Sequence, residues 1–113
     1  MVKDLELIKY ALDVKAQNCK LLDISKISSI TDEVFFCSAD NERQVYAIAN
    51  NILRHLPKKD LLGVDGMDNS RWVILDYGHI IAHIFHSDEF DRYRLDEVFS
   101  QAKHLPIPTE LFQ

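Results

Sequence analysis

Arg71-Trp72-Val73-Ile74-Leu75-Asp76-Tyr77-Gly78-His79-Ile80-Ile81-Ala82-His83-Ile84-Phe85-His86 is the stretch that decides the fold. Two runs rich in β-branched and aromatic residues flank a turn near Tyr77-Gly78, which predicts a β-hairpin. Just upstream, Leu61-Leu62-Gly63-Val64-Asp65-Gly66 reads as another strand running into the polar loop Met67-Asp68-Asn69-Ser70. Val34-Phe35-Phe36-Cys37-Ser38 is too short for a helix and lies between turn signals, so it predicts a buried strand near the sheet centre. Lys20-Leu21-Leu22-Asp23-Ile24 predicts a shorter strand that leaves through residues 25–32, where Ser, Thr and Asp side chains favour turns.

Helical periods surround these strands. Val45, Ile48, Ala49, Ile52, Leu53 and Leu56 recur at helical spacing. Asn41 and Gln44 resemble a capping box, and Pro57 ends the element. Leu5, Ile8, Leu12 and Ala16 predict an amphipathic helix over residues 3–18. Ser87-Asp88-Glu89 is expected to cap a final helix reaching about Lys103, with its acidic groups where the helix dipole favours them. The expectation is a single α/β domain over residues 1–113, with a mixed five-stranded sheet, flanking helices and the order α-β-β-α-β-β-β-α. Its core spans about residues 4–103, and residues 104–113 form an extended C-terminal tail.

The 113 residues are 47% hydrophobic and 27% charged, enough to bury a core without covalent staples. Cys19 and Cys37 therefore read as small apolar residues in a reducing compartment rather than as a bridge. No apolar run reaches membrane-spanning length, and the acidic residues of Met1-Val2-Lys3-Asp4-Leu5-Glu6 do not suit a signal peptide. A soluble, cytoplasmic protein is expected. Eighteen acidic residues against 13 basic ones, a net charge of −5, weigh against a broad grip on nucleic-acid phosphates and suit a basic protein partner.

Catalytic patterns fare poorly. His79 and His83 would share one strand face about 13 Å apart, with His86 on the other, so they do not converge on one metal ion. No Gly-x-Ser-x-Gly elbow surrounds Ser25, Ser28, Ser29 or Ser38, and Gly63, Gly66 and Gly78 build no phosphate loop. Asp40-Asn41-Glu42 reads as a polar turn capping a helix rather than a metal site. The distinctive feature is an aromatic-acidic group: Trp72, Ile74 and Asp76 alternate onto one strand face, with Tyr77 at the turn and Asp65 and Asp68 on the preceding loop. Trp72 fits two readings, a core residue or an anchor seated in a partner's pocket.

Ser28-Ser29-Ile30-Thr31-Asp32, Arg43-Gln44-Val45 with Ile48-Ala49, Gly63-Val64-Asp65-Gly66, Trp72 through Gly78, His83-Ile84-Phe85 and Tyr93-x-Leu95 together resemble the Iojap/RsfS ribosomal silencing factor family over residues 4–103. The resemblance implies a nucleotidyltransferase-like fold without the catalytic carboxylates, no enzymatic activity and no cofactor. It implies a translation repressor that binds the large ribosomal subunit through large-subunit ribosomal protein fourteen and blocks small-subunit joining when nutrients run short. The alternatives are a large-subunit assembly factor and a nucleotidyltransferase-like nucleotide-binding protein.

By that resemblance the partner-contacting residues are Trp72, Asp76, Tyr77, Tyr93, Ser29 and Asp32; separately, an exposed aromatic face able to pair with itself points to a homodimer of the free protein. Trp72→Ala or Tyr77→Ala is then expected to abolish docking while leaving the fold intact. The chain departs from the family pattern at Ala39 (usually Gly), Asp65 (Glu), His79 (Asp) and Phe99 (Trp). His79 puts a titratable base beside Tyr77, from which pH-sensitive docking is expected.

Overall fold

Helix α1 (Asp4–Leu12) closes earlier than the apolar period predicts. Lys15 adopts φ 62°, the Ala16 amide donates to the Ala11 carbonyl, and the Lys15 amide donates to Leu12. This is a Schellman turn, which caps the last carbonyls and redirects the chain. Ala16 therefore leaves the helix, and strand β1 (Gln17–Asp23) starts at once. The structure is a computed structural model and describes residues 2–92, 94, 97, 100 and 102–112.

Strand β2 (Glu33–Ala39) is buried along almost its whole length, as its apolar run predicts. Helix α2 (Glu42–His55) begins where Asn41 accepts a hydrogen bond from the Gln44 amide at 2.8 Å. Val45, Ile48, Ala49 and Ile52 form its buried stripe. A short 3-10 turn (Lys58–Asp60) leads into β3 (Gly63–Asp65), then β4 (Trp72–Asp76) and β5 (Ile80–His86). The expected hairpin is present: β4 and β5 pair antiparallel, from Trp72 opposite Phe85 to Asp76 opposite Ile81.

The expected final helix is corrected by the structure. Helix α3 is Ser87–Arg92, and Arg94 at φ 47° is incompatible with a continuous helix to Lys103. Lys103 instead opens a sixth strand, β6 (Lys103–Leu105), which pairs antiparallel with β1. The sheet is therefore six-stranded rather than five-stranded, in the order β3-β4-β5-β2-β1-β6. Nor is the tail extended throughout, because Thr109–Phe112 forms a 3-10 turn and Ile107 and Leu111 pack on the core.

The sheet is mixed, since β2 runs parallel to β5 while its other pairs are antiparallel. Its inner face carries Leu21, Phe35, Cys37, Val73, Leu75, Ala82 and Ile84 against α1 and α2. The outer face has a smaller apolar cluster of Leu22, Val34, Phe36, Phe85 and Ala102, edged by Ile24 and Trp72. One face is thus closed by helices. On the other, Trp72, Ile74 and Asp76 of β4 remain half-buried. Among the described residues, no helix is long and apolar enough to cross a membrane.

Candidate docking surface

Alternation along β4 sends Val73 and Leu75 inward and leaves Trp72, Ile74 and Asp76 half-buried on the outer face. Trp72 is held on two sides. Its indole N–H donates to Nδ1 of His83 at 3.1 Å, and its ring lies 4.8 Å from that of Phe85, tilted by 42°. His83 stacks on Phe85 with centroids 6.0 Å apart. Burial pushes the His83 imidazole down to about 4, so at neutral pH its unprotonated Nδ1 accepts the indole hydrogen. Trp72 thus sits half-buried at the rim of the outer cluster.

Asp76 closes the other end of this stripe. Its Oδ1 accepts from the Gly78 amide at 2.9 Å, and the Tyr77 amide donates to the Ile80 carbonyl across the turn. Gly78 occupies φ 89°, which the turn needs and L side chains rarely adopt. The loop over residues 25–32 reaches the same end: the Asp32 and Glu33 amides both donate to the His79 carbonyl, at 3.1 and 2.9 Å. Ser29 and Asp32 are exposed, and Ile30 on the same loop is 82% exposed.

Tyr77 is the correction. The hairpin reading places it at the turn as a surface aromatic, but only 4% of it is exposed and it joins the inner core. It continues the inward alternation of Val73 and Leu75, so it points away from Trp72. Burial pushes its hydroxyl up to about 12, helped by the Asp60 carboxylate. Substitution of Tyr77 therefore perturbs the core, contrary to the expectation of an intact fold. Tyr93, Leu95 and Phe99 lie outside the described residues.

Gly66 sets the position of Trp72 from the preceding loop. It sits at φ 85°, and a Cβ there would lie 2.0 Å from the Trp72 carbonyl oxygen. Glycine is needed for both the backbone angle and the close approach.

Sequence reasoning missed a charged knot at the opposite end of the sheet. Arg71 donates to Glu42 at 2.8 Å and through two nitrogens to Glu89, at 2.8 and 3.2 Å. Buried His86 lies within 3.9 Å of Glu42, and its Nδ1 accepts from the Asp88 amide. Arg71 holds both glutamates below their usual range. This knot covers the carboxyl ends of parallel β2 and β5, where open α/β sheets commonly form a ligand crevice. A signal for it existed, since Glu42 and Glu89 stand in the first turns of α2 and α3, but their shared arginine does not follow from spacing.

His83 sits within β5, His86 ends it and His79 precedes it. Among the described residues, no group of three or more His, Cys, Asp or Glu side chains is arranged to hold a metal ion.

Fold and site define a small α/β protein whose distinctive surface is a half-open sheet face rather than a cleft. A family model described as "Ribosomal silencing factor during starvation" matches residues 3–112, and the chain belongs to that family. Ribosomal silencing factor RsfS of Bacillus subtilis is 32% identical over 92 residues, covering 80% of this chain and 78% of that protein. Its Haemophilus influenzae counterpart is 30% identical over 98 residues, covering 84% of this chain and 96% of that one. The chloroplastic protein Iojap of Arabidopsis thaliana is 29% identical over 107 residues, which span 93% of this chain but 44% of that protein.

Solved structures agree on the fold. A Bacillus halodurans protein superposes with a TM-score of 0.78 at 28% identity, covering 90% of this chain and 95% of that one. A Chromobacterium violaceum protein gives a TM-score of 0.81 at 24% identity, covering 94% and 90%.

Proposed function

We propose that the chain is a cytoplasmic ribosomal silencing factor with no catalytic step. It docks on the large ribosomal subunit through large-subunit ribosomal protein fourteen and sterically blocks small-subunit joining, slowing translation when nutrients are limiting. The observation that carries this reading is the half-open stripe of Trp72, Ile74 and Asp76, with Trp72 fixed by His83 and Phe85. A preorganised aromatic anchor loses little side-chain freedom on binding. Its acidic surroundings and the net charge of −5 suit a basic ribosomal protein and disfavour a general hold on RNA.

Residues 1–113 act as one unit in this reading, with a nucleotidyltransferase-like fold put to binding rather than catalysis. Ser29 and Asp32 extend the contact from the neighbouring loop, Tyr93 adds to it, and the free protein pairs with a second copy through the same face. By the family resemblance an acid is expected where this chain has His79, so His79→Asp is expected to strengthen docking on a basic partner.

Co-sedimentation with purified large subunits tests the proposal. Wild type pellets, whereas Trp72→Ala and Ile74→Arg lose at least about tenfold in affinity, as expected for a hot spot. Ile74→Arg charges the face without hollowing the core. Retained binding by both folded variants rejects the site, and wild type that fails to pellet rejects ribosome docking. Large-subunit assembly is a second reading, and it uses the same surface. It is distinguished by depletion of the protein: loss of mature large subunits marks assembly, whereas unrestrained translation in starvation marks silencing.

A further inference from the structure

Cys19 and Cys37 face one another across the β1–β2 ladder. The register runs from Gln17 opposite Ser38 to Lys20 opposite Phe36, so Asn18 and Cys19 together stand against Cys37. Two residues against one make a β-bulge, and Asn18 takes φ 53° within it. Cys37 is fully buried in the inner core, and half-buried Cys19 packs against that same core. Both side chains therefore leave the same face of the sheet. No disulfide joins them, and the Cys19 thiol donates to the Ala16 carbonyl at 3.7 Å. Because the bulge sets Cys19 against Cys37 on neighbouring strands and both pack on the inner core, the two thiols are brought together on one face.

The two sulfurs differ in access and acidity. Cys19 lines an open groove under the C-terminal arm with Lys20, His104, Ile107 and Phe112, where a small oxidant can reach it. The neighbouring Cys37 thiol pulls Cys19 below its ordinary value, whereas Cys19 and complete burial push Cys37 well above it. Thiolate is the attacking form, so the accessible member is the nucleophile and the buried member resolves.

We propose that Cys19 and Cys37 form a redox-responsive dithiol that peroxide closes to a reversible intramolecular disulfide. The Cys19 thiolate sulfur attacks one peroxide oxygen, the O–O bond breaks, and the departing hydroxide takes up a proton to become water. Cys19 is then a sulfenic acid. The Cys37 sulfur attacks the Cys19 sulfur, its proton passes to the displaced hydroxyl, and a second water leaves. The dithiol loses two electrons and the peroxide gains them. This pair lies on the inner face, opposite Trp72, and at the end of β2 remote from the 25–32 loop. Closure therefore ties β1 to β2 without displacing the docking face.

The test treats native wild type with hydrogen peroxide, unfolds it, blocks free thiols with iodoacetamide and weighs the product. The expected species is a monomer lighter by about two hydrogens, with no alkylated thiol, a Cys19 peptide joined to the Cys37 peptide, and full reversal by dithiothreitol. Its Tm is expected to exceed that of the reduced form. Two alkylated thiols, Cys19 driven to sulfinic acid beside a free Cys37, or dimers on a non-reducing gel would each overturn the proposal. In Cys37→Ala, Cys19 is expected to stop at a dimedone-reactive sulfenic acid. The wild-type masses decide the matter even if that variant does not fold.

Discussion

Trp72 and His83 are diagonal neighbours across the β4–β5 ladder, joined by an indole N–H to imidazole Nδ1 hydrogen bond of 3.1 Å. The bond ties the only tryptophan to a histidine that must stay neutral, so the geometry of the outer face depends on pH. Protonation of His83 replaces the acceptor with a second donor aimed at the first.

Acid stability should reveal this. Burial lowers His83 from 6.5 to about 4 in the folded chain, so the unfolded chain takes up the proton first. The stabilisation is complete above pH 6.5 and is lost as pH falls toward about 4, by on the order of 2–3 kcal/mol. His83→Gln keeps an acceptor for Trp72 and does not titrate. Thermal unfolding between these pH values should show a shallower decline for this variant than for wild type; identical slopes would reject a buried neutral His83.

Tyr77 distinguishes packing from docking. Its ring is buried in the inner core, so Tyr77→Ala should cost on the order of 3–4 kcal/mol of stability. Tyr77→Phe should leave ribosome binding within about twofold, because the hydroxyl lies off the docking face. A stable Tyr77→Ala that fails to bind would reverse that assignment.

Gly66 and Gly63 make a matched pair. A Cβ at Gly66 meets the Trp72 carbonyl oxygen at 2.0 Å in a left-handed backbone, while one at Gly63 meets nothing within 4 Å. Gly66→Ala is expected to cost at least about 2 kcal/mol and to alter Trp72 fluorescence, with Gly63→Ala close to neutral. Equal melting temperatures for the two would show that the loop relaxes freely.

Glu33 should act with the opposite sign to His83. Desolvation first, then the neighbouring Asp4 carboxylate, raises it from 4.5 to about 7. A carboxyl whose folded value lies above its unfolded one is favourable below pH 4.5 and loses that contribution as pH climbs through about 7. Glu33→Gln should therefore raise Tm at pH 8 and leave it unchanged at pH 4. A variant destabilised at pH 8 would mean that the Glu33 carboxylate is wanted in its charged form.

Helix α2 was legible residue by residue, because its period, the Asn41 cap and the Pro57 stop are local signals that agree. The hairpin was legible for the same reason. Strand β6 was not: three residues before Pro106 carry no period, and Lys103–Leu105 becomes a strand only by pairing with β1. Tyr77 was misread because a turn signal outweighed the alternation of Val73 and Leu75, which the chain in fact continues inward.

By itself the sequence determined the main helices and strands, the aromatic-acidic composition of the β4 face and the resemblance that names the family. These rest on contacts between near neighbours and on side-chain alternation, both written along the chain. Tertiary structure alone decided that Arg71 joins Glu42 to Glu89, that Trp72 leans on His83 and that two cysteines meet at a bulge. Each of these depends on strand register, and a shift of one residue would send the side chains to the other face.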